Sequence, residues 1–404
     1  MRVLLLKGAS QYDVLRHFQE ELAAGFAARA WDVSVLDLLA MDREAFLARL
    51  AAERADLVFS FNIAGDVTDG LGRSVSEIAG APHVVQLVDY PLSDMERFER
   101  ITRTTALLTI DPSHGEAIER LFGPHRFSYV GFSPHGGMGS PVPLPDDARA
   151  YLAHRDIAVL FAGTYYRSQL PPWEEGGVPP FLQEVFREAA RRALTAEWLA
   201  PQEAFDGVLA EAGIDLSSPD AVPVRALAGF VQEHIRQERR FLFLKAAARV
   251  GLPLTVVGKG YEEASALFPN MTALGPRPVQ EVLGLMARSR IVANTSANFG
   301  RGSHERPLSA MRAGAVALSD HTAFFAGNFA EDEIALFRWQ HLEDDLARLA
   351  GRLNDPETLF AMAKAGQAKA VAGHGWAHRI EAIIAAGKAA AANLNLPGVR
   401  PLTP

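Results

Sequence analysis

Cysteine is absent from the 404-residue chain. Its absence excludes disulfides, thiolate metal sites and cysteine nucleophiles, and it fits a reducing cytoplasm, which is the location we expect. Basic residues are not in excess either, since 48 acidic side chains outnumber 40 Lys and Arg and give a net charge of −8. That balance argues against a protein that coats nucleic acid or anionic lipid.

Long apolar runs are also missing. The N-terminal run Val3-Leu4-Leu5-Leu6 is too short for the core of a signal peptide, and no run reaches the length that spans a bilayer. We therefore expect no membrane span and interpret this run as a first β-strand. A hydrophobic fraction of 49% is enough for well-packed cores, and the chain length is typical of two domains.

The first third of the chain alternates short apolar runs with amphipathic stretches, which predicts βαβ units and a parallel sheet. The predicted strands are 3–7, 32–37, 55–62, 83–89, 106–111 and 127–131. Ser10, Asn62 and Asp89 follow or end three of them. Because ligands of open α/β sheets bind at the carboxyl edge, we expect these three residues to bind substrate.

A second α/β region predicts a second doubly wound domain. We divide the chain into an N-terminal Rossmann-like domain, a Pro- and Gly-rich linker, a C-terminal Rossmann-like domain and a loosely held tail, which span 1–135, 136–155, 156–391 and 392–404. The second domain has predicted strands at 156–163, 252–257, 291–294 and 316–319, and helices at 356–371 and 376–391 that would close it. We expect the two domains to face each other across a cleft.

The stretch of about 179–237 has helical periodicity and no predicted strand. It predicts a helical insertion in the second domain. Such an insertion could serve acceptor choice or dimerisation.

The most informative segment is 302–320, which joins a cationic loop to a short helix and then to a buried strand. Pro307 suits the first turn of a helix and Gly314 suits the position just past its end. The free N–H groups and the positive dipole end would face His304 and Arg306, which favours a phosphate or diphosphate. The alternative is a loop in which His304 and Arg306 only cap neighbouring elements.

Two weaker signals precede this segment. The glycines of Gly258-Lys259-Gly260 follow a predicted strand and would let the backbone approach a ligand closely, although a plain tight turn is the alternative. Arg239, Arg240 and Lys245 lie at the start of a predicted helix, where cations oppose the helix dipole. That placement suggests a bound anion, with a solvated charged face as the alternative.

Asn294 leaves a buried strand into a small-residue loop that leads directly to His304 and Arg306. Polar groups, two cations and a helix N-terminus at one edge are expected for a sugar-nucleotide diphosphate. We predict His304, Arg306 and Asp89 as catalytic. The residues predicted to bind the donor nucleotide sugar are Gly258, Lys259, Gly260, Arg240, Lys245, Asn294, Ser303, Glu305, Pro307 and Leu308.

The run from His304 to Gly314, followed by a strand that ends at Asp320, resembles the hallmark of the CgeB-like bacterial glycosyltransferases, in which an Arg-containing loop leads into an Ala-Met-x-x-Gly helix. The strand that ends at Gly163 and the run 374–379 are also similar to this family. The resemblance implies a GT-B fold with the nucleotide-sugar donor on the C-terminal domain, the acceptor on the N-terminal one, and no metal requirement.

The chain departs from the family pattern at two positions. Ser309 stands where many retaining relatives have a Glu that holds the donor ribose, and Arg301 stands where a Glu-x7-Glu pair would begin. Retention and inversion therefore both stay open. An inverting reaction needs a general base, for which Asp89 and His17 are the candidates, whereas a retaining reaction needs none.

The predicted function is metal-independent transfer of a sugar, with a UDP-hexose as the first expectation, to a protein, glycan or small-molecule acceptor. No other cofactor, no nucleic-acid partner and no membrane span are expected, and a homodimer stays open. The alternatives are a sugar-nucleotide epimerase or a phosphorylase on the same scaffold, and a degenerate module that binds a sugar nucleotide or a protein.

Overall fold

The computed structural model describes residues 1–91, 98, 104–166, 170–174, 177–296, 299–352 and 355–394. The chain divides into two compact units, of which the first comprises Met1–Gly136 with Gly375–Pro404 and the second Gly137–His374. Each unit contains one six-stranded sheet in which all pairings are parallel. The α/β class and the Rossmann-like character predicted from the sequence are thereby confirmed.

The sheet of the first unit has the strand order β2-β1-β3-β4-β5-β6. Its strands are β1 (Arg2–Lys7), β2 (Asp32–Asp37), β3 (Leu57–Phe61), β4 (His83–Leu87), β5 (Thr105–Thr109) and β6 (Tyr129–Phe132). The described helices of this unit are Val14–Ala27, Arg43–Ala52, Val75–Ala79, Pro112–Phe122 and Ile380–Leu394. Every residue of β3, β4 and β5 is buried, as expected for parallel strands covered on both faces.

The C-terminal helix Ile380–Leu394 packs on β4, β5 and β6 and belongs to the first unit. The preceding Trp376 is fully buried, with its ring 4.6 Å from that of Phe18 and 5.2 Å from that of Phe61. This differs from our expectation that 376–391 would close the second domain. Apolar periodicity tells that a helix has a buried face, but not which sheet that face covers.

The sheet of the second unit has the order β12-β11-β10-β7-β8-β9. Its strands are β7 (Ile157–Ala162), β8 (Leu254–Val257), β9 (Met271–Ala273), β10 (Ser289–Ala293), β11 (Val316–Asp320) and β12 (Ala335–Phe337). The helices around it are Ala148–Ala153, Tyr261–Leu267, Val279–Ala287, Glu305–Arg312, Ala323–Asn328, Leu342–Arg352 and Pro356–Gly373. The edge strands β9 and β12 were not predicted, because three residues are too few to display a period.

The predicted linker 136–155 is largely packed onto the second unit. The amide of Met138 donates to Ser309 Oγ at 2.9 Å, and Arg312 Nε donates to the Gly139 carbonyl at 2.8 Å. Tyr151 is fully buried and its hydroxyl donates to the Gly314 carbonyl at 3.1 Å. The Pro- and Gly-rich composition therefore marks a packed segment that includes the helix Ala148–Ala153, and not a free connector.

The predicted insertion is helical and has a hydrophobic core of its own. Its helices are Pro180–Thr195, Pro201–Glu211, Val222–Ala226 and the N-terminal part of Ala228–Arg249. Phe186 stacks on Phe205 at 5.2 Å and on Trp173 at 5.6 Å within that core.

The helix Ala228–Arg249 is one continuous element of 22 residues that leads toward β8. Val231 lies in the core of the insertion, whereas Phe243 stacks on Phe161 of β7 at 5.0 Å. Arg239 and Arg240 consequently lie in the middle of a helix. Our argument that they oppose a helix dipole at its start is wrong.

Candidate functional site

Four residues of the candidate site lie at the carboxyl edge of the second sheet, where its strands end. Gly163 follows β7, Gly258 follows β8 and Asn294 follows β10, while Asp320 ends β11. The loop after β10 leads to the eight-residue helix Glu305–Arg312. Residues 297 and 298 of that loop lie outside the described residues.

Arg306 is held in place by two side chains. Its Nη1 donates to Asn294 Oδ1 at 2.7 Å, and its Nη2 lies 3.1 Å from His304 Nε2. Only 14% of the side-chain surface is exposed, and this burial lowers the pKa of the guanidinium. The carboxylate of Glu305 is 3.9 Å from Arg306 Nε, so it compensates the charge only in part.

His304 contacts both residues that follow it at the start of the helix Glu305–Arg312. Its Nε2 lies 3.1 Å from Arg306 Nη2, and its Nδ1 lies 3.4 Å from the backbone amide of Arg306, which it caps. Nδ1 also lies against the Glu305 carboxylate. These contacts place His304 where it orients Arg306.

Arg240 is a further cation at this edge. It is 9% exposed, its Nη1 donates to the Thr164 carbonyl, and burial lowers its pKa. A Cβ atom built on Gly163 would lie 3.5 Å from Arg240 Nη2 and 3.7 Å from Arg306 Nη2. The two guanidinium groups therefore converge beside a residue without a side chain, and the charge of Arg240 further lowers the pKa of Arg306. Two buried like charges at one place favour an anionic ligand.

A buried hydrogen-bond network fixes Asn294 and the loop after it. Asn294 Nδ2 donates to Ser296 Oγ at 2.7 Å and to Ser319 Oγ at 3.1 Å. The amide of Ser296 donates to Asp320 Oδ1 at 2.7 Å. Burial raises the pKa of the Asp320 carboxyl, and the Ser296 amide opposes that shift. Asp320, which is 2% exposed, thus holds the loop in position from below.

The Gly258-Lys259-Gly260 turn makes room for the chain itself. A Cβ on Gly258 would lie 2.1 Å from the Gly163 carbonyl oxygen, and one on Gly260 would lie 1.8 Å from that of Tyr165. The side chain of Lys259 is exposed, while its carbonyl accepts from the Tyr165 amide at 2.8 Å. The geometry favours the tight-turn alternative for these three residues, which support the segment after β7.

Four other residues that were predicted to bind the donor nucleotide sugar lie where they pack within the protein or face solvent. Lys245 is exposed and lies over the ring of Phe241 at 6.0 Å, so the structure does not bring it to the arginine pair. Pro307 and Leu308 are buried, and Leu308 is part of a hydrophobic cluster. Ser303 is fully buried. The position of Ser309 is likewise structural, since its hydroxyl accepts from the Met138 amide and donates to the Glu305 carbonyl at 2.8 Å.

The carboxyl edge of the first sheet brings two predicted residues together. Asn62 Nδ2 donates to Asp89 Oδ2 at 2.6 Å, and Asn62 Oδ1 accepts from the Val88 amide at 2.9 Å. Ser10 has a different task, because its Oγ accepts from the Leu15 amide at 2.9 Å at the start of a helix. His17 lies 3.2 Å from Glu21, which raises the pKa of the imidazole.

Sequence reasoning missed several features of both edges. In the first unit Asn62 and Ile63 have φ of 46° and 62°, which is costly for side-chain-bearing residues, and burial raises the pKa of nearby Asp66 to about 6. In the second unit the hydroxyl of Tyr261 is buried without a hydrogen-bond partner among the described residues. The only sequence signal for Asp66 and Tyr261 is that each follows a glycine soon after a strand.

The described ranges contain neither a membrane-spanning helix nor a cluster of metal ligands. No helix in them is both long and apolar enough to span a membrane. No group of three or more His, Asp or Glu side chains in the same ranges could hold a metal ion.

The chain is similar to known glycosyltransferases in part of its sequence and in its fold. Residues 236–385 match the family model described as glycosyl transferase-like, and this part contains Arg240, Asn294 and Arg306. No curated protein sequence matches the chain.

Solved structures match over almost the whole chain. The Anabaena protein HepE (Alr3699), in complex with UDP and glucose, is 14% identical with a TM-score of 0.52 over 95% of this chain and 98% of its own. Sucrose-phosphate synthase from Thermosynechococcus elongatus is 12% identical with a TM-score of 0.50 over 95% and 96%. An alpha-glucosyltransferase in complex with UDP-glucose and DNA is 12% identical with a TM-score of 0.50 over 95% and 99%. The chain has the GT-B fold of two Rossmann-like domains, as predicted.

Proposed function

We propose that the protein is a glycosyltransferase that moves a sugar from a nucleoside diphosphate donor to an acceptor. The observation that carries the proposal is the convergence of Arg240 and Arg306 beside Gly163, at the carboxyl edge of the second sheet. The glycosyl transferase-like match includes both arginines, which supports the same conclusion. HepE in complex with UDP and glucose supports a UDP-sugar as the first donor to test.

The chemistry of glycosyl transfer explains why such a site helps. The anomeric carbon becomes cationic in the transition state while the leaving diphosphate gains negative charge. Fixed donors stabilise that growing charge more than they stabilise the bound substrate, which lowers the barrier. Arg306 and Arg240 would supply this stabilisation, with Asn294 and His304 keeping Arg306 in position. Because these groups provide the positive charge, the proposed reaction is independent of a metal.

The acceptor belongs to the first unit in this proposal. The Asn62 and Asp89 pair lies at its carboxyl edge, where a hydroxyl of the acceptor would be bound, and Asp89 would be the general base of an inverting reaction. The acceptor is a protein, glycan or small molecule. We further propose, from the sequence, that the transferred sugar is a hexose and that the protein belongs to the CgeB-like group. Its proposed location is a bacterial cytoplasm, and its proposed assembly is a homodimer.

One observation favours a second candidate function, a degenerate module that binds a sugar nucleotide without transferring the sugar. Ser309, in the position where related enzymes carry a ribose-binding Glu, is fully buried and bonded to Met138 and Glu305. The donor ribose would therefore lack that carboxylate contact. Binding without turnover is the behaviour that this candidate predicts.

A binding panel tests the proposal. UDP, GDP, dTDP and CMP are added to the protein in EDTA, and the melting temperature is measured for each. A nucleotide that binds only the folded state raises it, by an amount equivalent to about 2.7 kcal/mol at a concentration of 100 Kd. The UDP-sugar is then incubated with the protein to detect UDP release. No response to any nucleotide contradicts the proposal, and binding without UDP release for any acceptor class favours the degenerate module.

A further inference from the structure

Tyr261 is a buried tyrosine whose hydroxyl lacks a partner. It is the first residue of the helix Tyr261–Leu267, directly after the Gly258-Lys259-Gly260 turn. Only 1% of the residue is exposed, and the hydroxyl oxygen has no hydrogen-bond partner among the described residues. A buried hydroxyl in this condition destabilises the folded state, because it has lost its water without replacement. Such a group calls for an explanation.

The surroundings of the hydroxyl contain donors. The ring stacks on that of Tyr165 at 5.6 Å, and the carbonyl of Thr164, the residue before Tyr165, accepts from Arg240 Nη1. The charges of Arg240 and Arg306 both act to lower the pKa of the phenol. A guanidinium has five N–H donors and no acceptor, so the proton of the hydroxyl finds no acceptor there. Arg240 Nε is also buried without a partner in the described part of the chain. The Tyr261 hydroxyl and Arg240 Nε are thus two buried donors without an acceptor in the described ranges.

We propose that the Tyr261 hydroxyl donates a hydrogen bond to the diphosphate of the donor substrate, beside Arg240 and Arg306. This inference rests on the proposed function. Burial raises the pKa of Tyr261 to about 12, so the phenol keeps its proton at neutral pH and can donate it. A diphosphate oxygen offers an acceptor to the Tyr261 hydroxyl and to the unpartnered Nε of Arg240.

Tyr151 provides a matched control within the same unit. It is also fully buried, and burial raises its pKa to about 12 as well. Its hydroxyl, however, donates to the Gly314 carbonyl at 3.1 Å. Removing one oxygen atom from each tyrosine therefore compares an unsatisfied hydroxyl near two arginines with a satisfied hydroxyl in the core.

The experiment uses the full chain with Tyr261→Phe and Tyr151→Phe. The melting temperature is measured without ligand, and the affinities for UDP and inorganic pyrophosphate are measured by calorimetry in EDTA. For Tyr261→Phe we expect a melting temperature equal to or above wild type, because an unsatisfied buried group is gone. We expect both ligands to bind about 10- to 100-fold more weakly, the range for a hydrogen bond to a charged group. For Tyr151→Phe we expect a lower melting temperature and unchanged affinities.

Three other outcomes would contradict the inference about Tyr261, and one of them would also contradict the proposed function. If Tyr261→Phe binds UDP and pyrophosphate as wild type does, the inference is wrong and the proposed function stands. If both variants lose affinity equally, the loss comes from packing, and the inference is again wrong. If the wild-type protein binds neither UDP nor pyrophosphate, the diphosphate site itself is refuted together with the inference.

Discussion

The carboxyl edge of the first sheet carries Asp66 and Asp89, whereas that of the second sheet carries Arg240 and Arg306. Asp89 is exposed and accepts a hydrogen bond from Asn62, so water and an amide stabilise its charge. The two arginines are removed from water and lie beside each other at Gly163. The exposed pair of Asn62 and Asp89 is stable without a ligand, because water solvates its charge. Buried like charges lower the stability of the folded state unless a ligand compensates them. The difference indicates which edge has the stronger requirement for an anion.

The largest expected effect is on Arg306. Arg306→Ala removes a charge-assisted contact that strengthens as the leaving group departs, worth about 2–4 kcal/mol. Turnover with the identified donor should fall by about 30- to 1000-fold. His304→Ala should cost less, because His304 acts by orienting Arg306. Turnover and melting temperature are measured for each variant.

Arg155 is the control for this substitution. Its guanidinium is buried too, but it donates to the carbonyls of Ser289 at 2.5 Å and Ala313 at 2.9 Å. Arg155→Ala should lower the melting temperature and leave the turnover of the folded fraction unchanged. Near-normal turnover in a stable Arg306→Ala protein would mean that the diphosphate lies elsewhere.

The next effect separates two neighbours in sequence, Arg239 and Arg240. Arg240→Ala should weaken nucleotide binding by about 10- to 100-fold, because a hydrogen bond to a charged ligand is lost. The melting temperature should change little, because loss of the hydrogen bond to the Thr164 carbonyl is offset by the removal of a buried charge. Affinity is measured by calorimetry. Equal affinity for the wild type and Arg240→Ala would remove Arg240 from the site.

Arg239→Ala should have the opposite pattern. Arg239 Nη2 donates to the Ala193 carbonyl at 2.9 Å, and the guanidinium lies over the Trp339 ring at 5.1 Å. Its loss should lower the melting temperature and leave nucleotide affinity intact. A variant that binds weakly but melts normally would show that the two arginines cannot be distinguished in this way.

A smaller effect concerns pH and Asp66. Burial raises the pKa of its carboxyl from 3.8 to about 6, so the folded protein holds this proton more tightly than the unfolded chain does. The group's favourable contribution is therefore complete below pH 4 and is lost as the pH rises through 6. Asp66→Asn should be more stable than wild type by about 1–2 kcal/mol at pH 7.5 and equal at pH 4, after allowance for partial exposure. Urea unfolding at the two pH values measures the difference, and a pH-independent difference would contradict the expectation.

The smallest expected effect is at Asp89. Asp89→Asn should lower kcat/KM for the acceptor about tenfold if Asp89 binds an acceptor hydroxyl, since one charged hydrogen bond becomes neutral. Donor affinity should stay the same. Asp42→Asn is the control, because Asp42 is an exposed aspartate that caps the helix Arg43–Ala52 through the Ala45 amide at 2.8 Å. A decrease of several hundredfold would support the proposed role of Asp89 as the general base of an inverting reaction, and an unchanged kcat/KM would remove Asp89 from the acceptor site.

The sheets could be predicted because buried parallel strands are continuous apolar runs, even when they are short. β3, with all five residues buried, is readable from the sequence, and the three-residue β12 is not. The destination of the helix Ile380–Leu394 was also out of reach, since it depends on contacts with strands about 250 to 300 positions earlier in the chain, which no local period encodes.

The site was predictable in residue type more than in role. Arg306 and Asn294 were found because they surround a helix start, and their hydrogen bond agrees with that placement. Arg240 was found by a wrong argument, since the helix begins at Ala228. The role of His304 depends on its contacts with Arg306 and Glu305 together, which the sequence alone does not show.

The first unit is interrupted, because the chain leaves it after Gly136 and returns at Gly375. During synthesis on the ribosome the second unit is therefore complete before Ile380–Leu394 emerges. Until then, the strands β4, β5 and β6 have been synthesised but lack the helix that covers them. Such uncovered apolar surface is prone to aggregation in partly folded chains. The unit whose sheet is made first is consequently the last to finish folding.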